Sequence, residues 1–247
     1  MEINLTGKNA LITGGAAGIG RACAQQIGAC GARVAVCDIN LPGAQETVAS
    51  LPGGLAVRCD LADQEDVARM AQTVLAAYGG LDILVNNAGI ISFKRGVTGI
   101  TIDEWDALMG VNLRGQFLVC RAFAESLKER RGGKIVNFSS MSARIGGIEV
   151  GIHYVTAKAG IIGMTRTLAK EFGPFGVNVN AVVPGFTETE PVKAQLAGRE
   201  DTVHAQIPLG RLAQPMDVAN VVLFLVSPLS DYITGLAIDI NGGMFMG

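Results

Sequence analysis

The chain has 247 residues, of which 49% are hydrophobic and 17% are charged, and its formal net charge is −2. This length is typical of one large α/β domain, and the hydrophobic fraction excludes a disordered chain. The balanced charge gives no reason to expect nucleic acid or an anionic membrane as a partner, and no apolar run approaches the roughly 20 residues of a membrane-spanning helix.

The cysteines and histidines bear on the cellular compartment and on whether the chain holds a metal. The five cysteines form no CxxC pair, and the N-terminus lacks the basic and apolar regions of a signal peptide. We therefore expect a reducing, cytoplasmic environment. With only two histidines and no clustered thiols, we also expect no catalytic metal.

Short β-branched segments alternate with helical patterns along the whole chain. The predicted helices cover about 18–29, 43–50, 64–78, two stretches within 101–130, 153–172 and 215–226. The predicted strands contain KNALIT, RVAVCD, LAVRCD, DILVN, KIVNFSS, VNVNAVVP and LAIDI. Because these strands are apolar on consecutive residues, they belong in a parallel sheet with helices on both faces. The sequence predicts a single doubly wound α/β domain of the Rossmann type, with a mainly parallel seven-stranded sheet.

One long segment, 186–214, has no clear place in that sheet. It mixes prolines and glycines with a short amphipathic piece, EPVKAQLAG. This composition favours a mobile lid over a functional site.

A glycine-rich turn, TGGAAGIG, follows the first strand at 13–20. Gly14, Gly18 and Gly20 form a GxxxGxG pattern, which differs from the common GxGxxG fingerprint. Glycines there let the backbone approach a pyrophosphate at the positive end of a helix, although any tight connection can use such a turn. Asp38 ends the second strand, where a carboxylate can accept hydrogen bonds from both ribose hydroxyls of NAD and repel a 2′-phosphate. Its alternative role is to cap the following turn.

A second pattern, YVTAK, places Tyr154 and Lys158 on one face of a helix. A phenol is a poor base at pH 7, but a neighbouring ammonium and an oxidised nicotinamide stabilise the phenolate and lower its pKa. Ser140, at a strand end, is placed to hold the same substrate oxygen. An isolated YxxxK is common on amphipathic helices, so the combination with the upstream serines and the glycine turn carries the prediction.

These residues resemble the short-chain dehydrogenase/reductase family from about Leu5 to the last residues. The shared motifs occur in the family's order: TGGAAGIG, CDL at 59–61, NNAG at 86–89, VNLRG at 111–115, NFSS at 137–140, YVTAK at 154–158 and VPGFTET at 183–189. Two features depart from the family pattern. The stretch from Ser140 to Tyr154 is about one residue longer than usual, and Asn241 stands where aspartate is frequent.

The resemblance implies a role for each matching residue. Ser140 positions the substrate oxygen, Tyr154 is the acid/base, Lys158 lowers its pKa and binds the ribose, and Asn112 holds a water in the proton relay. The expected cofactor-binding residues are Gly14, Gly18, Ile19, Gly20, Asp38, Asp60, Leu61, Asn87, Ala88, Gly89, Tyr154, Lys158, Pro184, Gly185, Thr187 and Thr189.

Simpler structural roles remain open for some of these residues. Asn86 and Asn87 alternatively tie strand ends together, Asn112 joins two helices, and Asp60 caps the helix that begins near Asp63. The choice between Ser139 and Ser140 follows the family pattern, which favours the second serine.

The resemblance also implies a homotetramer built on two helices. One contains GQFLVCRAF at 115–123 and the other carries Tyr154. Four small residues on the second helix would permit close packing: Ala157, Ala159, Gly160 and Gly163.

Three functions compete. The first is an NAD-dependent oxidoreductase that interconverts a secondary alcohol and a ketone. The second is a 3-oxoacyl thioester reductase of fatty acid synthesis, whose acyl carrier protein would bind a basic cluster of Lys128, Arg130, Arg131 and Lys134, although such a run is more often a solvated turn. The third is a non-catalytic nucleotide sensor on the same fold.

The segments expected around the nicotinamide predict a mostly apolar substrate wall. Its members are Phe93, Ile145, Ile148, Val150, Ile152, Phe186, Val192 and Leu196. Few polar side chains accompany them: Arg144, Glu149 and His153. We therefore expect an apolar secondary alcohol or ketone rather than a sugar or polyol.

Overall fold

The computed structural model describes residues 3–93, 96–147 and 149–247. Seven parallel strands form one sheet in the order β3-β2-β1-β4-β5-β6-β7. The strands are β1 (Asn9–Thr13), β2 (Arg33–Asp38), β3 (Leu55–Arg58), β4 (Ile83–Asn86), β5 (Lys134–Phe138), β6 (Asn178–Pro184) and β7 (Ala237–Ile240). The order reverses between β1 and β4, and ligands of open parallel sheets bind beyond the carboxyl ends of the strands at such a point.

Ten α-helices accompany the sheet in the described residues. They are α1 (Gly18–Ala29), α2 (Leu41–Val48), α3 (Gln64–Tyr78), α4 (Ile102–Met109), α5 (Gln116–Arg130), α6 (Ser142–Ile145), α7 (Ile152–Phe172), α8 (Glu190–Leu196), α9 (Glu200–His204) and α10 (Pro215–Val226). A π-helical segment, Gly110–Gly115, connects α4 to α5.

The sheet has a separate apolar core on each face. Leu11 of β1 packs into one cluster with Met70 of α3 and Phe123 of α5. Its neighbour Ile12 packs into the other with Ile27 of α1 and Val222 of α10. Because successive side chains of a strand point to opposite faces, a strand covered on both sides must be apolar at every position. The predicted doubly wound fold is confirmed.

Most predicted helices lie where the pattern places them. The helices predicted at 18–29, 64–78 and 215–226 have those ends. The helix predicted to begin near 43 begins at Leu41, because the Asn40 side chain accepts a hydrogen bond from the backbone of Gly43 and Pro42 occupies the first turn.

The 186–214 segment folds as a small unit with α8 and α9. Leu196, Val203 and Ile207 form its buried core. Its two ends are joined by a bridge between Thr187 and Ala213. That this unit moves as a lid stays a prediction.

No helix in the described ranges is long and apolar enough to span a bilayer. None of the five cysteines, all of which lie in the described residues, forms a disulfide.

Candidate active site

The glycine-rich turn brings β1 against the loop that follows β4. Gly14 has a φ of +66°, and a Cβ there would lie 2.7 Å from the Cα of Ala88. A Cβ on Gly20 would collide with the carbonyl oxygen of Gly14. Gly18 has a φ of +53° and faces the side chain of Thr189. Gly14 and Gly20 therefore permit close approach between segments of this chain, and approach to a pyrophosphate stays a prediction.

The backbone carbonyl groups of the turn accept hydrogen bonds from side chains elsewhere in the chain. Three side chains donate hydrogen bonds to its oxygens: Asn87 to Thr13 (3.1 Å) and Gly14 (2.9 Å), Thr47 to Gly15 (2.9 Å) and Arg21 to Ala16 (2.6 Å). Asn87 thus has a structural role here, and direct contact with a cofactor stays a prediction.

The helix that begins in this turn has an open N-terminus. α1 starts at Gly18, next to Ile19, and has neither a side-chain cap nor an acidic residue in its first turn. By contrast, α3 is capped by Asp63 and α4 by Thr101. The first N–H groups of a helix lack partners within the helix and attract anions. An uncapped helix beside closely packed glycines therefore fits the pyrophosphate of a dinucleotide.

Asp38 lies beside this turn at the end of β2. One carboxylate oxygen accepts a hydrogen bond from the Ala16 N–H at 2.9 Å, and the other accepts one from the Asn40 N–H at 2.9 Å. The turn-capping role is therefore real. Each oxygen has a second lone pair, so the carboxylate remains able to accept ribose hydroxyls, and this role stays a prediction.

Asp60 and Leu61 follow β3 on the same edge. Asp60 accepts a hydrogen bond from the Ala62 N–H at 2.9 Å, whereas Asp63 caps α3. Asp60 is therefore not the helix cap. Leu61 is only 5% exposed and belongs to the core, and its contact with a cofactor stays a prediction.

The residues after β4 lie between the glycine-rich turn and α7, the helix that carries Tyr154. Asn86 donates to the side chain of Asn137 at 2.9 Å, and the Ala88 N–H donates to the Thr13 hydroxyl at 3.1 Å. These contacts tie strand ends together. A Cβ on Gly89 would lie 3.1 Å from Asn112 Oδ1 and 3.4 Å from Lys158 Nζ, so side chains of α7 and of the π-helical segment meet at this glycine.

Asn112 is buried in that π-helical segment. Its Oδ1 accepts from the Ile90 N–H at 2.8 Å, and its Nδ2 donates to the Ile90 carbonyl at 2.9 Å. The side chain therefore joins the segment to the loop after β4. Its role in holding a water stays a prediction.

The structure separates the two adjacent serines. Ser139 is buried and donates to the Lys158 carbonyl at 2.7 Å, so it anchors α7 to the strand end. Ser140 instead lines the cavity together with Tyr154. The geometry thus agrees with the choice of Ser140.

Lys158 is buried one helical turn after Tyr154. Its Nζ donates to the Phe138 carbonyl at 2.8 Å and lies 5.7 Å from the centre of the Tyr154 ring. Burial lowers the pKa of Lys158 to about 8, because the charged form loses hydration. The side chain is still predominantly an ammonium at pH 7.

Burial raises the pKa of Tyr154 above its ordinary value, and a hydrogen bond from Ser140 opposes that shift. The expected lowering of this pKa includes the charge of an oxidised nicotinamide, so it stays a prediction. The desolvation of the phenolate outweighs the stabilising contact.

The cavity beside Ser140 and Tyr154 has an empty volume of about 540 Å³, including its open side. Four residues of the predicted apolar wall line it: Ile145, Val150, Phe186 and Val192. Three others do not, because Phe93 and Ile152 are exposed and Leu196 is in the core of the 186–214 unit. Ile148 lies outside the described residues. Five further lining residues are not among those predicted from the sequence, because none belongs to a recognisable motif: Ile91, Met141, Ser142, Gly146 and Gln195.

Of the three polar side chains expected near a substrate, Arg144 and Glu149 have ion-pair partners, whereas the buried Nδ1 of His153 has no hydrogen-bond partner among the described residues. Arg144 pairs with Asp239, with an N–O distance of 3.2 Å. Glu149 accepts two hydrogen bonds from Arg199, each 2.9 Å long. His153 is buried and stacks on Trp105. Of these three residues only Glu149 lines the cavity, and its oxygens keep a second lone pair each.

The segment that follows β6 lies next to the glycine-rich turn. Pro184 ends the strand, and the Gly185 N–H donates to the Ile240 carbonyl at 2.8 Å. A Cβ on Gly185 would lie 2.9 Å from the Cβ of Asn241. Thr187 is buried, and the side chain of Thr189 lies against Gly18 of the glycine-rich turn. The nicotinamide contacts of both threonines stay predictions.

Asn241 shows why an amide is useful at this departure from the family pattern. Its Oδ1 accepts from the Gly243 N–H at 2.9 Å, and its Nδ2 donates to the Phe245 carbonyl at 3.1 Å. A carboxylate would supply no donor for the second bond.

Within the described parts of the chain, the structure brings together no group of three or more His, Cys, Asp or Glu side chains suited to a metal ion.

Comparisons with known proteins agree with this geometry. A family model described as enoyl-(acyl carrier protein) reductase matches residues 14–245. A short-chain type dehydrogenase/reductase of Sinorhizobium fredii is 41% identical, over 98% of this chain and 99% of the relative. A 3-oxoacyl-(acyl-carrier-protein) reductase of Aquifex aeolicus is 41% identical, over 99% of this chain and 100% of the relative.

A crystal structure from Brucella melitensis, described as a short-chain dehydrogenase/reductase of the glucose/ribitol dehydrogenase type, has a TM-score of 0.95 and 32% identity, with complete coverage of both chains. The chain therefore belongs to the short-chain dehydrogenase/reductase family of oxidoreductases, which act on CH–OH groups with a nicotinamide cofactor.

Proposed function

We propose that the chain is an NAD-dependent oxidoreductase that interconverts a secondary alcohol and a ketone by direct hydride transfer. One observation carries this proposal: the Ser140 and Tyr154 hydroxyl groups line an apolar cavity at the sheet edge where α1 offers its uncapped N-terminus. A single substrate can meet both hydroxyls there while its carbon faces the cofactor.

The reaction divides its tasks among three side chains. Ser140 donates a hydrogen bond to the substrate oxygen and holds it for proton transfer. In oxidation, the Tyr154 phenolate accepts the hydroxyl proton, and in reduction the phenol returns it to the ketone oxygen. The Lys158 ammonium stabilises the phenolate by its charge. The bound nicotinamide supplies the hydride acceptor or donor.

Asp38 supports NAD rather than NADP. A 2′-phosphate beside this carboxylate would bring like charges together in a partly desolvated pocket, at a cost of several kcal/mol. Ribose hydroxyls would instead use the free lone pairs of the same oxygens.

The cavity lining supports a substrate with an apolar substituent. Arg144 and Glu149 each have an ion-pair partner within the chain, so few polar side chains are left for the several hydroxyls of a polyol. Each unpaired buried hydroxyl costs about 1–3 kcal/mol. Hydrocarbon groups instead gain from contact with the apolar lining.

A 3-oxoacyl thioester reductase is the alternative, and the similarity to the Aquifex reductase supports it. The predicted basic cluster supports it less. Lys134 is buried and pairs with Asp231 at 2.6 Å, and Arg130 pairs with Asp82 at 3.2 Å. Lys134 also begins β5, whereas the cavity lies at the carboxyl ends of the strands, so this cluster is on the opposite edge of the sheet.

The oligomeric state and the cellular compartment of the protein are also proposals. We propose a homotetramer built on α5 and α7, supported by Phe117, which is 47% exposed on α5, and by open space around Gly163 on α7. Ala157 and Gly160 pack within the chain instead. The lack of a disulfide among the five cysteines of the described residues supports a reducing cytoplasm.

A substrate panel tests the proposed function. It contains apolar secondary alcohols, hydroxy acids, polyols and 3-hydroxyacyl thioesters, each assayed with NAD and NADP by the absorbance of the reduced cofactor. We expect the largest kcat/KM for an apolar secondary alcohol with NAD. A polyol with a larger kcat/KM than every apolar alcohol contradicts the substrate class. A dominant thioester activity selects the alternative.

A further inference from the structure

Two serine hydroxyls, rather than one, lie beside Tyr154. Ser142 is the first residue of α6 and lines the cavity together with Ser140 and Tyr154. Its side chain is largely buried. The Ser142 Oγ donates a hydrogen bond to the Ser140 Oγ at 3.0 Å, and the Ser142 backbone N–H donates to the same oxygen at 3.2 Å.

These two contacts determine where the Ser140 proton points. A serine hydroxyl has one proton to donate and two lone pairs that accept. The Ser142 N–H can only donate, so it occupies one lone pair, and the Ser142 hydroxyl occupies the other. The single Ser140 proton is then directed toward Tyr154 and the cavity. The reverse orientation, with Ser140 donating to Ser142, would turn that proton away from the reacting atoms.

We infer that Ser142 is a positioning residue, which fills the acceptor sites of Ser140 and so directs the Ser140 proton toward the substrate oxygen. Ser142 exchanges no proton with the substrate. Its hydroxyl also polarises the Ser140 hydroxyl, because hydrogen bonds in a chain strengthen one another in a desolvated site. The inference rests on the proposed function, in which Ser140 holds the substrate oxygen.

The kinetic test compares Ser142→Ala with Ser142→Thr. We expect the alanine variant to lower kcat by about tenfold, less than the loss of a direct oxyanion donor, with KM nearly unchanged. The threonine variant, which keeps a hydroxyl, should recover most of kcat. The midpoint of the kcat–pH profile for alcohol oxidation should move upward in the alanine variant, because a disordered Ser140 proton stabilises the phenolate less. The charged groups at this site, Lys158 and Glu149, are unchanged in both variants.

A double-mutant cycle distinguishes positioning from a general structural role. If Ser142 acts through Ser140, then Ser142→Ala has no further effect on kcat in a Ser140→Ala background. Equal fold losses of kcat in both backgrounds would overturn the inference. So would a loss of kcat in Ser142→Ala with no change in its pH midpoint.

A titration without substrate separates this inference from the proposed function. The Tyr154 phenol is followed by ultraviolet difference spectroscopy against Tyr154→Phe, in wild-type protein and in Ser142→Ala. An upward shift of the Tyr154 midpoint in Ser142→Ala supports the positioning role even if no panel substrate is turned over. An unchanged midpoint overturns it, whereas the absence of turnover overturns only the proposed function.

Discussion

Replacing Lys158 by methionine removes an ammonium that lies 5.7 Å from the centre of the Tyr154 ring and keeps a side chain of similar shape. With the ring centre taken as the position of the delocalised phenolate charge, an effective dielectric constant of about 20 gives an interaction of about 3 kcal/mol. One pKa unit corresponds to 1.36 kcal/mol, so the Tyr154 pKa should rise by about 2 units in the variant. At pH 7, where the phenol is mostly protonated, kcat for alcohol oxidation should fall about 100-fold.

The assay is the pH dependence of kcat at saturating substrate and cofactor. Lys158→Met should show a midpoint about 2 units higher than that of the wild type, with part of the lost rate recovered at high pH. Lys170→Met is the matched control, because Lys170 is an exposed lysine in the last turn of the same helix. A kcat within about threefold of the wild type, with an unshifted midpoint, would refute the electrostatic argument and leave Lys158 a cofactor-binding role at most.

A stability measurement accompanies this variant. The pKa of Lys158 in the folded chain is about 8, below its ordinary value of 10.5, so its charge opposes folding at pH 7 and this opposition disappears as the pH rises from about 8 to 10.5. Lys158→Met should therefore not lower the Tm at pH 7. A loss of activity caused by unfolding would show as a lower Tm.

The other predictions concern the cofactor, the phenol and the 186–214 unit. Asp38→Ser should lower the ratio of kcat/KM for NAD to that for NADP by at least about tenfold, and an unchanged ratio would contradict ribose binding by the carboxylate. Without cofactor, Tyr154 should titrate above pH 10, in line with its raised pKa, and saturating NAD should move its ultraviolet midpoint downward; an insensitive midpoint would disprove the cofactor's electrostatic role. Arg199→Met removes both hydrogen bonds to Glu149 and should raise the substrate KM about two- to fivefold, whereas an unchanged KM would show that this ion pair does not support the cavity.

The sequence predicts the sheet well because each strand is covered on both faces. Consecutive apolar residues such as Leu11 and Ile12 pack into separate cores, so the requirement is visible locally. The ends of α3 are similarly local, since Asp63 caps its start and Gly79 adopts a left-handed conformation at its end. The π-helical segment around Asn112 has no comparable local pattern.

The YVTAK motif at 154–158 is visible as a short pattern in the sequence, but the contacts of the residues around it are not. Tyr154 and Lys158 are one helical turn apart, whereas Arg144 and Asp239 meet only through the packing of α6 against β7. Glu149 similarly finds Arg199 across 50 positions of the sequence. Such pairs cannot be read from spacing, so the sequence does not show that Arg144 and Glu149 have ion-pair partners within the chain. The hydrogen bond between the Ser142 and Ser140 hydroxyls likewise depends on the conformation of the turn into α6.

The central claim, proton transfer by the Tyr154 hydroxyl, is tested most directly by Tyr154→Phe. This variant keeps the aromatic ring and removes only the proton-transferring oxygen. NAD binding is measured by calorimetry, and turnover of the best panel substrate is followed by the absorbance of NADH. The account predicts a loss of kcat of at least about 10³-fold with the Kd for NAD nearly unchanged. A variant that binds NAD normally and retains most of the wild-type kcat would contradict it.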